Sequence, residues 1–320
     1  MKLAVRKATN LLVRAVPKSV TRHFLKSLWY QPHLQDALRV HVQPYRFDSA
    51  IPTRFDIDLD RLNQRRNLPG LAFDVSKHLS LLKELAVYAH EMNSIPLEQT
   101  TQEEFWFRNP GYQDADAASL YCMIRHFKPR RIIEAGCGFS SRVIGMAVRK
   151  NAAENHPAEC LFIEPYPADY LLVDRLPGPL LQKKIQDVPM ERFTSLNEGD
   201  ILFIDTSHVI KTQNDCCCEY LQIIPSLRPG VLVHIHDILT PYDYHADWIL
   251  DHQFAFNEQY ALECLLTHNP RLEVLVPLYL LWKEHTAAVM NLFSRQRQSH
   301  RPSAFWVRTR GDESKGYPIP

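Results

Sequence analysis

Between Arg131 and Val143 an apolar run, Ile132-Ile133-Glu134-Ala135, passes through Gly136-Cys137-Gly138 into a stretch whose apolar positions resume at Val143. A strand that turns through Gly-x-Gly straight into a helix restricts the architecture more than any other feature of this chain. Two glycines let the backbone reverse sharply and let a ligand lie against it without meeting a Cβ. With only 10 Gly against 22 Pro in 320 residues, such a pair is informative.

The chain beyond Pro129 fits the same plan. Short β-rich runs alternate there with helical stretches, the signature of βαβ units and a parallel sheet. Strands are predicted at Arg131–Ala135, Cys160–Glu164, Lys184–Asp187, Ile201–Asp205 and Val231–His236, with Leu272–Val276 and Ala304–Arg308 completing the sheet. Asp74 reads as the N-cap of a helix to Met92, and a second helix spans Asp116–Phe127. Cys217, Tyr220, Leu221 and Ile224 form a helical stripe, with Thr212 and Asp215 as its capping box and Pro229-Gly230 as its stop. Trp248–Leu266 reads as one further helix. The whole is an α/β, Rossmann-like protein: a seven-stranded, mostly parallel sheet with helices on both faces and an N-terminal helical extension. The expected divisions are a basic amphipathic arm (1–30), an irregular and helical region (31–110, irregular from Pro32 to Gly70), the α/β domain (111–310) and a flexible tail (311–320).

Charge narrows the partners. Residues 1–35 hold seven Lys/Arg and no acid, which leaves the remainder with 30 basic against 36 acidic residues. A mildly acidic body removes the main support for nucleic-acid binding. The arm mixes Leu3, Leu11, Leu12, Phe24, Leu25, Leu28 and Trp29 with its cations, and Pro17 splits it into two short helices. Such a stretch suits peripheral contact with an anionic membrane, docking on a partner or the body, or a transit peptide. The sequence has no membrane-length apolar window or secretory signal, and its seven Cys include no Cys-x-x-Cys pair. We therefore expect a cytoplasmic chain with reduced thiols.

The acids at the strand ends suggest the ligand. Glu134 precedes the glycine turn, Glu164 ends the second predicted strand and Asp187 the third. An acid before the turn opposes a pyrophosphate there but welcomes a cationic ligand. Position 141, where a dinucleotide-binding turn has its third glycine, is Ser. S-Adenosylmethionine, with a sulfonium and an α-ammonium, fits better. Glu164 would accept from ribose hydroxyls and Asp187 from the adenine amino group.

The turn Glu134-Ala-Gly-Cys-Gly-Phe-Ser-Ser resembles the first motif of class I S-adenosylmethionine-dependent methyltransferases. Ile201-Leu-Phe-Ile-Asp-Thr-Ser-His208, followed by His234-Ile-His-Asp237, is similar to a bacterial subgroup often encoded near sugar and glycan assembly genes. The resemblance covers about residues 70–310. It implies a sheet parallel but for its last strand, with the cofactor over the carboxyl ends of the strands. Its cofactor contacts are Glu134, Gly136, Gly138, Ser140, Glu164, Asp187 and Asp205. Related macrolide-sugar and catechol O-methyltransferases hold a divalent metal at positions that correspond here to Asp205, His236 and Asp237, with His236 standing where the relatives carry an acid or an amide. The implied acceptor is a hydroxyl of a sugar, glycan precursor or related small molecule.

Methyl transfer to a hydroxyl requires that its proton leave. His208, three residues beyond Asp205, is the candidate general base, because an ordinary imidazole titrates near neutrality, at about 6.5. Alternatively, His208 caps the loop beyond it. Asp205 has three competing roles: metal ligand, orienter of a histidine, or acceptor for substrate and cofactor groups. Lys211, Tyr112, His236 and Tyr242 are candidate acceptor-site residues, aromatic faces suiting a sugar ring, while His234 reads as a hydrogen-bonded core residue. The rival readings are an NAD-linked oxidoreductase and a non-catalytic module that binds S-adenosylmethionine or docks a partner.

Overall fold

The computed structural model describes residues 17–43, 46–49, 51–101, 104–173 and 176–311. Contacts divide the chain into two units, Met1–Pro52 and Thr53–Pro320. In the first unit, α1 (Lys18–Trp29) begins after Pro17 and α2 (Pro32–Leu38) carries Pro at its start, where a missing N–H costs nothing. Gln35 Nε2 donates to the carbonyls of Leu28 (3.1 Å) and Trp29 (3.2 Å), tying the two helices together. The helix expected ahead of Pro17 and nearly all of the expected tail lie outside the described residues. The stretch expected to be irregular from Pro32 to Gly70 contains α2 and a short helix at Leu59–Leu62, where the Asp58 side chain accepts the amide N–H groups of Asp60 and Arg61.

The second unit is built on seven strands: β1 (Arg131–Ala135), β2 (Glu159–Ile163), β3 (Leu180–Leu181), β4 (Ile201–Ile204), β5 (Leu232–Ile235), β6 (Leu272–Pro277) and β7 (Phe305–Thr309). Their order is β3-β2-β1-β4-β5-β7-β6, and only β7 runs against the rest. Side chains alternate between two cores, as the two-residue period of a strand requires. Ile132, Phe162 and Phe203 pack with α3 (Val75–Leu85), α4 (Asp114–Phe127) and α5 (Phe139–Ala153). Ile133, Ile163, Leu202 and Ile204 pack on the opposite face, with the helical stretch that opens as α6 (Asp215–Cys218) and with α7 (Glu258–Leu266). Asp74 caps α3 by accepting from the Lys77 amide at 3.2 Å; the helix then tightens to a 3₁₀ stretch from Ala86 to Ser94.

Three local expectations are corrected. The third strand is Leu180–Leu181, and Lys184–Asp187 is instead a 3₁₀ turn over Ile185–Asp187. The pairing is set earlier in the chain, where Gly178 passes so close to β2 that a Cβ there would lie 2.0 Å from the Cys160 carbonyl oxygen. The cap of α6 is Asn214, whose side chain accepts from the Cys217 amide, while Asp215 turns back to the Ser207 hydroxyl at 2.6 Å. The single helix expected over Trp248–Leu266 breaks into a π-helical turn, Asp247–Asp251, and α7. Between them Gln253 adopts a positive φ of 56° while Phe254 and Phe256 stack 4.9 Å apart. Among the described residues no helix is long and apolar enough to cross a membrane.

Candidate functional site

The carboxyl ends of β1, β2 and β4 enclose a cavity of about 470 Å³, lined among others by Gly136, Glu164, Tyr166, Gln186, Asp205 and Ser207. Open parallel sheets collect ligands at this edge, and the volume suits a small molecule. Gly136 makes the turn possible: its φ is +81°, and a Cβ there would fall 1.8 Å from the Asp205 carbonyl oxygen. The turn also meets β2, where Glu164 accepts the Cys137 amide N–H (3.3 Å) and that of Tyr166 (2.7 Å). The glycine turn and Glu164 thus share one cavity.

Four expected cofactor residues, Glu134, Gly138, Ser140 and Asp187, do not line the cavity. Asp187 is exposed beyond the cavity wall, because its segment is a turn whose lining members are Lys184, Ile185 and Gln186. Glu134 lies beneath the turn, fully buried, accepting the hydroxyls of Ser140 (2.5 Å) and Ser141 (2.6 Å). Burial pushes its carboxyl up to about 8, against the pull of those two hydroxyls. Ser140 therefore serves the turn from below. Ser141, standing where a dinucleotide turn has glycine, also accepts the Gly138 amide N–H at 3.2 Å.

Beside the cavity, Asp205 enters a compact ionic network. His208 Nε2 lies 3.2 Å from Asp205 Oδ1 and 3.6 Å from Asp237 Oδ2, while its Nδ1 is 2.8 Å from Glu258 Oε2. His236 Nδ1 lies 3.5 Å from both Asp205 and Asp237, and its Nε2 is 3.7 Å from Asp116. Asp116 also meets His300 at 3.4 Å and accepts the amides of Ser303 and Ala304, each at 2.8 Å. Burial opposes charge on both imidazoles, yet the surrounding carboxylates outweigh it. Hydrogen bonds to Asp205 and Glu258 raise His208 well above the ordinary imidazole value, and the charges of Asp205 and Asp237 do the same for His236. Burial likewise works against ionised Asp205 and Asp116, but the imidazoles hold both below the usual carboxylate range.

Residues 133–238 match a family described as Methyltransferase domain. The chain is also 32% identical over 167 residues to an uncharacterized protein of Archaeoglobus fulgidus, an alignment covering 49% of this chain and 75% of that one. The methyltransferase-domain match thus spans the glycine turn, Glu164 and the histidine network's Asp205 and Asp237. A crystal structure of a candidate methyltransferase from Thermobifida fusca YX aligns with 74% of this chain and 95% of its own, at 10% identity and a TM-score of 0.35.

Within the matched domain the carboxylates of Asp205 and Asp237 face imidazole nitrogens, and Asp237 Oδ1 also accepts from the Ser303 hydroxyl at 2.9 Å. That arrangement is an ion-pair network and does not fit Mg²⁺, which demands octahedral oxygen ligands. Two expected acceptor-site residues are turned away. Tyr112 is buried with its hydroxyl 3.1 Å from His234 Nε2, and Tyr242 donates to Glu284 at 2.8 Å within a separate apolar cluster. His234 is a core residue, stacked on Phe203 at 4.2 Å, and burial pushes it down to about 3. Lys211 stands exposed on the cavity rim. The residues missed in the sequence are Gln186 and Ser207 in the cavity wall and Asp116, Glu258 and His300 in the network. Asp116 has the signature of a helix-start acid, and no spacing rule links Glu258 to a histidine 50 residues away.

Proposed function

We propose that this methyltransferase takes S-adenosylmethionine in the cavity at Gly136 and Glu164 and methylates a hydroxyl of a sugar, glycan precursor or related small molecule. Bound there, the cofactor would supply a methyl group on a positively charged sulfur. The observation that carries the reading is the cavity itself: a turn that excludes a Cβ at Gly136, a carboxylate at Glu164 and, at the far wall, Asp205, whose side chain reaches into the histidine network. The acceptor oxygen would attack in line, the new C–O bond forming as the C–S bond breaks with its electron pair left on sulfur. The acceptor proton would pass to His208 Nε2. A resting His208 that holds its own proton must first give it up, so the reading implies turnover that rises toward alkaline pH.

Isothermal titration calorimetry of the full chain with S-adenosylhomocysteine and, separately, NADH tests the cofactor. We expect binding of the first and none of the second, whereas a preference for NADH would favour the oxidoreductase. Radiolabelled methyl transfer to methyl glycosides tests the acceptor class.

The N-terminal unit supports a second, independent proposal, contact with an anionic membrane surface. On α1, Val20, Phe24 and Leu25 are 57%, 64% and 44% exposed beside Lys18, Arg22 and Lys26, a combination that suits the interface of an anionic bilayer.

A further inference from the structure

We propose that Phe256, Asn257 and Glu258 form a clamp that fixes His208, with Glu258 as the positioning residue of the transfer reaction; this rests on the reading of His208 as proton acceptor. His208 is a non-glycine residue with a φ of +58°, a left-handed conformation that an L-residue keeps only when its surroundings over-determine it. Its carbonyl and its Nδ1 are both held from one place, the start of α7. The amide N–H groups of Asn257 and Glu258 both donate to the His208 carbonyl, at 3.0 and 3.2 Å. The Phe256 ring packs 4.7 Å from the imidazole, and Glu258 Oε2 takes Nδ1 at 2.8 Å.

Glu258 cannot swing away. It is fully buried, and its other oxygen accepts the Tyr220 hydroxyl at 2.9 Å. Asn257 ties the loop beyond His208 as well, its side-chain oxygen accepting the Ile210 amide. The consequence concerns the tautomer. A carboxylate held at Nδ1 keeps the hydrogen on that nitrogen in neutral imidazole, which leaves the Nε2 lone pair directed at the side where Asp205 and Asp237 stand. Without Glu258 the carboxylates of Asp205 and Asp237 would draw the hydrogen onto Nε2, and the free lone pair would fall on Nδ1, away from them. The interruption of the helix between Asp251 and Glu258 thereby gains a purpose, because an unbroken helix would not begin at His208.

The test uses the full chain, ¹⁵N-labelled at histidine, with S-adenosylhomocysteine added. We expect one strongly deshielded ring N–H resonance, assigned to His208 by its absence from His208→Gln. It should move upfield in Glu258→Gln and return toward its original position in Glu258→Asp. With methyl glycosides as acceptors, Glu258→Gln should lower kcat by at least about 10-fold and by no more than the roughly 10⁴-fold that a general base supplies, leaving KM and S-adenosylhomocysteine affinity unchanged. Added to His208→Gln, it should cause no further loss, as expected for residues acting as one unit. An unmoved resonance, or losses that multiply in the double variant, overturns the clamp. If Glu258→Gln does not fold, Tyr220→Phe removes the hydroxyl that steadies the carboxylate; it should shift the same resonance, and an unshifted signal counts against the proposal. Full activity in His208→Gln would sink the proton-acceptor reading, while calorimetric S-adenosylhomocysteine binding would still stand for the cofactor site.

Discussion

The two glycines of the turn are not equivalent. Gly136 combines a φ of +81° with a virtual Cβ 1.8 Å from the Asp205 carbonyl oxygen, whereas at Gly138 the nearest atom to a Cβ is the Tyr170 hydroxyl at 3.7 Å. A left-handed φ costs an L-residue about 1–2 kcal/mol before any collision. Gly136→Ala should therefore destabilise by more than about 2 kcal/mol and abolish S-adenosylhomocysteine binding, while Gly138→Ala should stay within about 1 kcal/mol of the parent; chemical denaturation with ligand titration separates them. His208→Gln should lose about 10² to 10⁴ in turnover. His208→Ala carries an added cost of about 1–3 kcal/mol, since the buried Glu258 carboxylate would then lack the side-chain donor that glutamine's amide still offers. Comparing the melting temperatures of the two variants checks this. The legible residues were those beside a local signal. Gly136, Asp205 and His208 announce themselves through a turn and a strand end, but the inward aim of Glu134 shows only once Ser140 and Ser141 are in place beneath it.

Elements were legible in proportion to how far their own residues dictate them. β1, β4 and β5 are mainly apolar and almost wholly buried, and their ends lie within a residue or two of expectation. β3 has two residues and exists because Gly178 lets the chain approach Cys160, a contact no periodicity encodes. The broken helix before α7 has the same origin, since stacking of Phe254 on Phe256 and the pull of the His208 carbonyl are tertiary. For α1, the expected outcome is sedimentation of the full chain with phosphatidylglycerol vesicles but not with phosphatidylcholine, weakening with salt and lost in Phe24→Asp. Equal sedimentation with both lipids would count against an electrostatic contribution.

The molecule's response to pH follows from charges buried together. His208 and His236 titrate above an ordinary imidazole, so the stability they contribute is complete below about 6.5 and is lost as pH rises through their raised values. Glu134, raised to about 8, also disfavours the folded state as pH climbs toward that value. On the acid side, Asp205 and Asp116 lose their contribution as pH falls below about 4. His234, pushed down to about 3, withdraws support as pH drops from about 6.5. Melting temperature should thus peak on the mildly acidic side, near about pH 6, and fall in both directions; a flat profile from pH 5 to 9 would contradict the ion-pair network. The fold was legible here because sheet and helices follow from runs of apolar residues. The network was legible only in part, because Asp116, Glu258 and His300 come to it from three separated stretches of chain.

Glu134 reaches its two serines and no part of the cavity. The loop that would greet a nucleoside is thus cinched from the interior, shaped before any guest arrives, so a visitor need not spend its own affinity on ordering it. Grip on the methyl donor is accordingly open to adjustment by substitutions that never touch it, among them Ser141→Gly, which would slacken the loop while leaving every wall of the chamber in place.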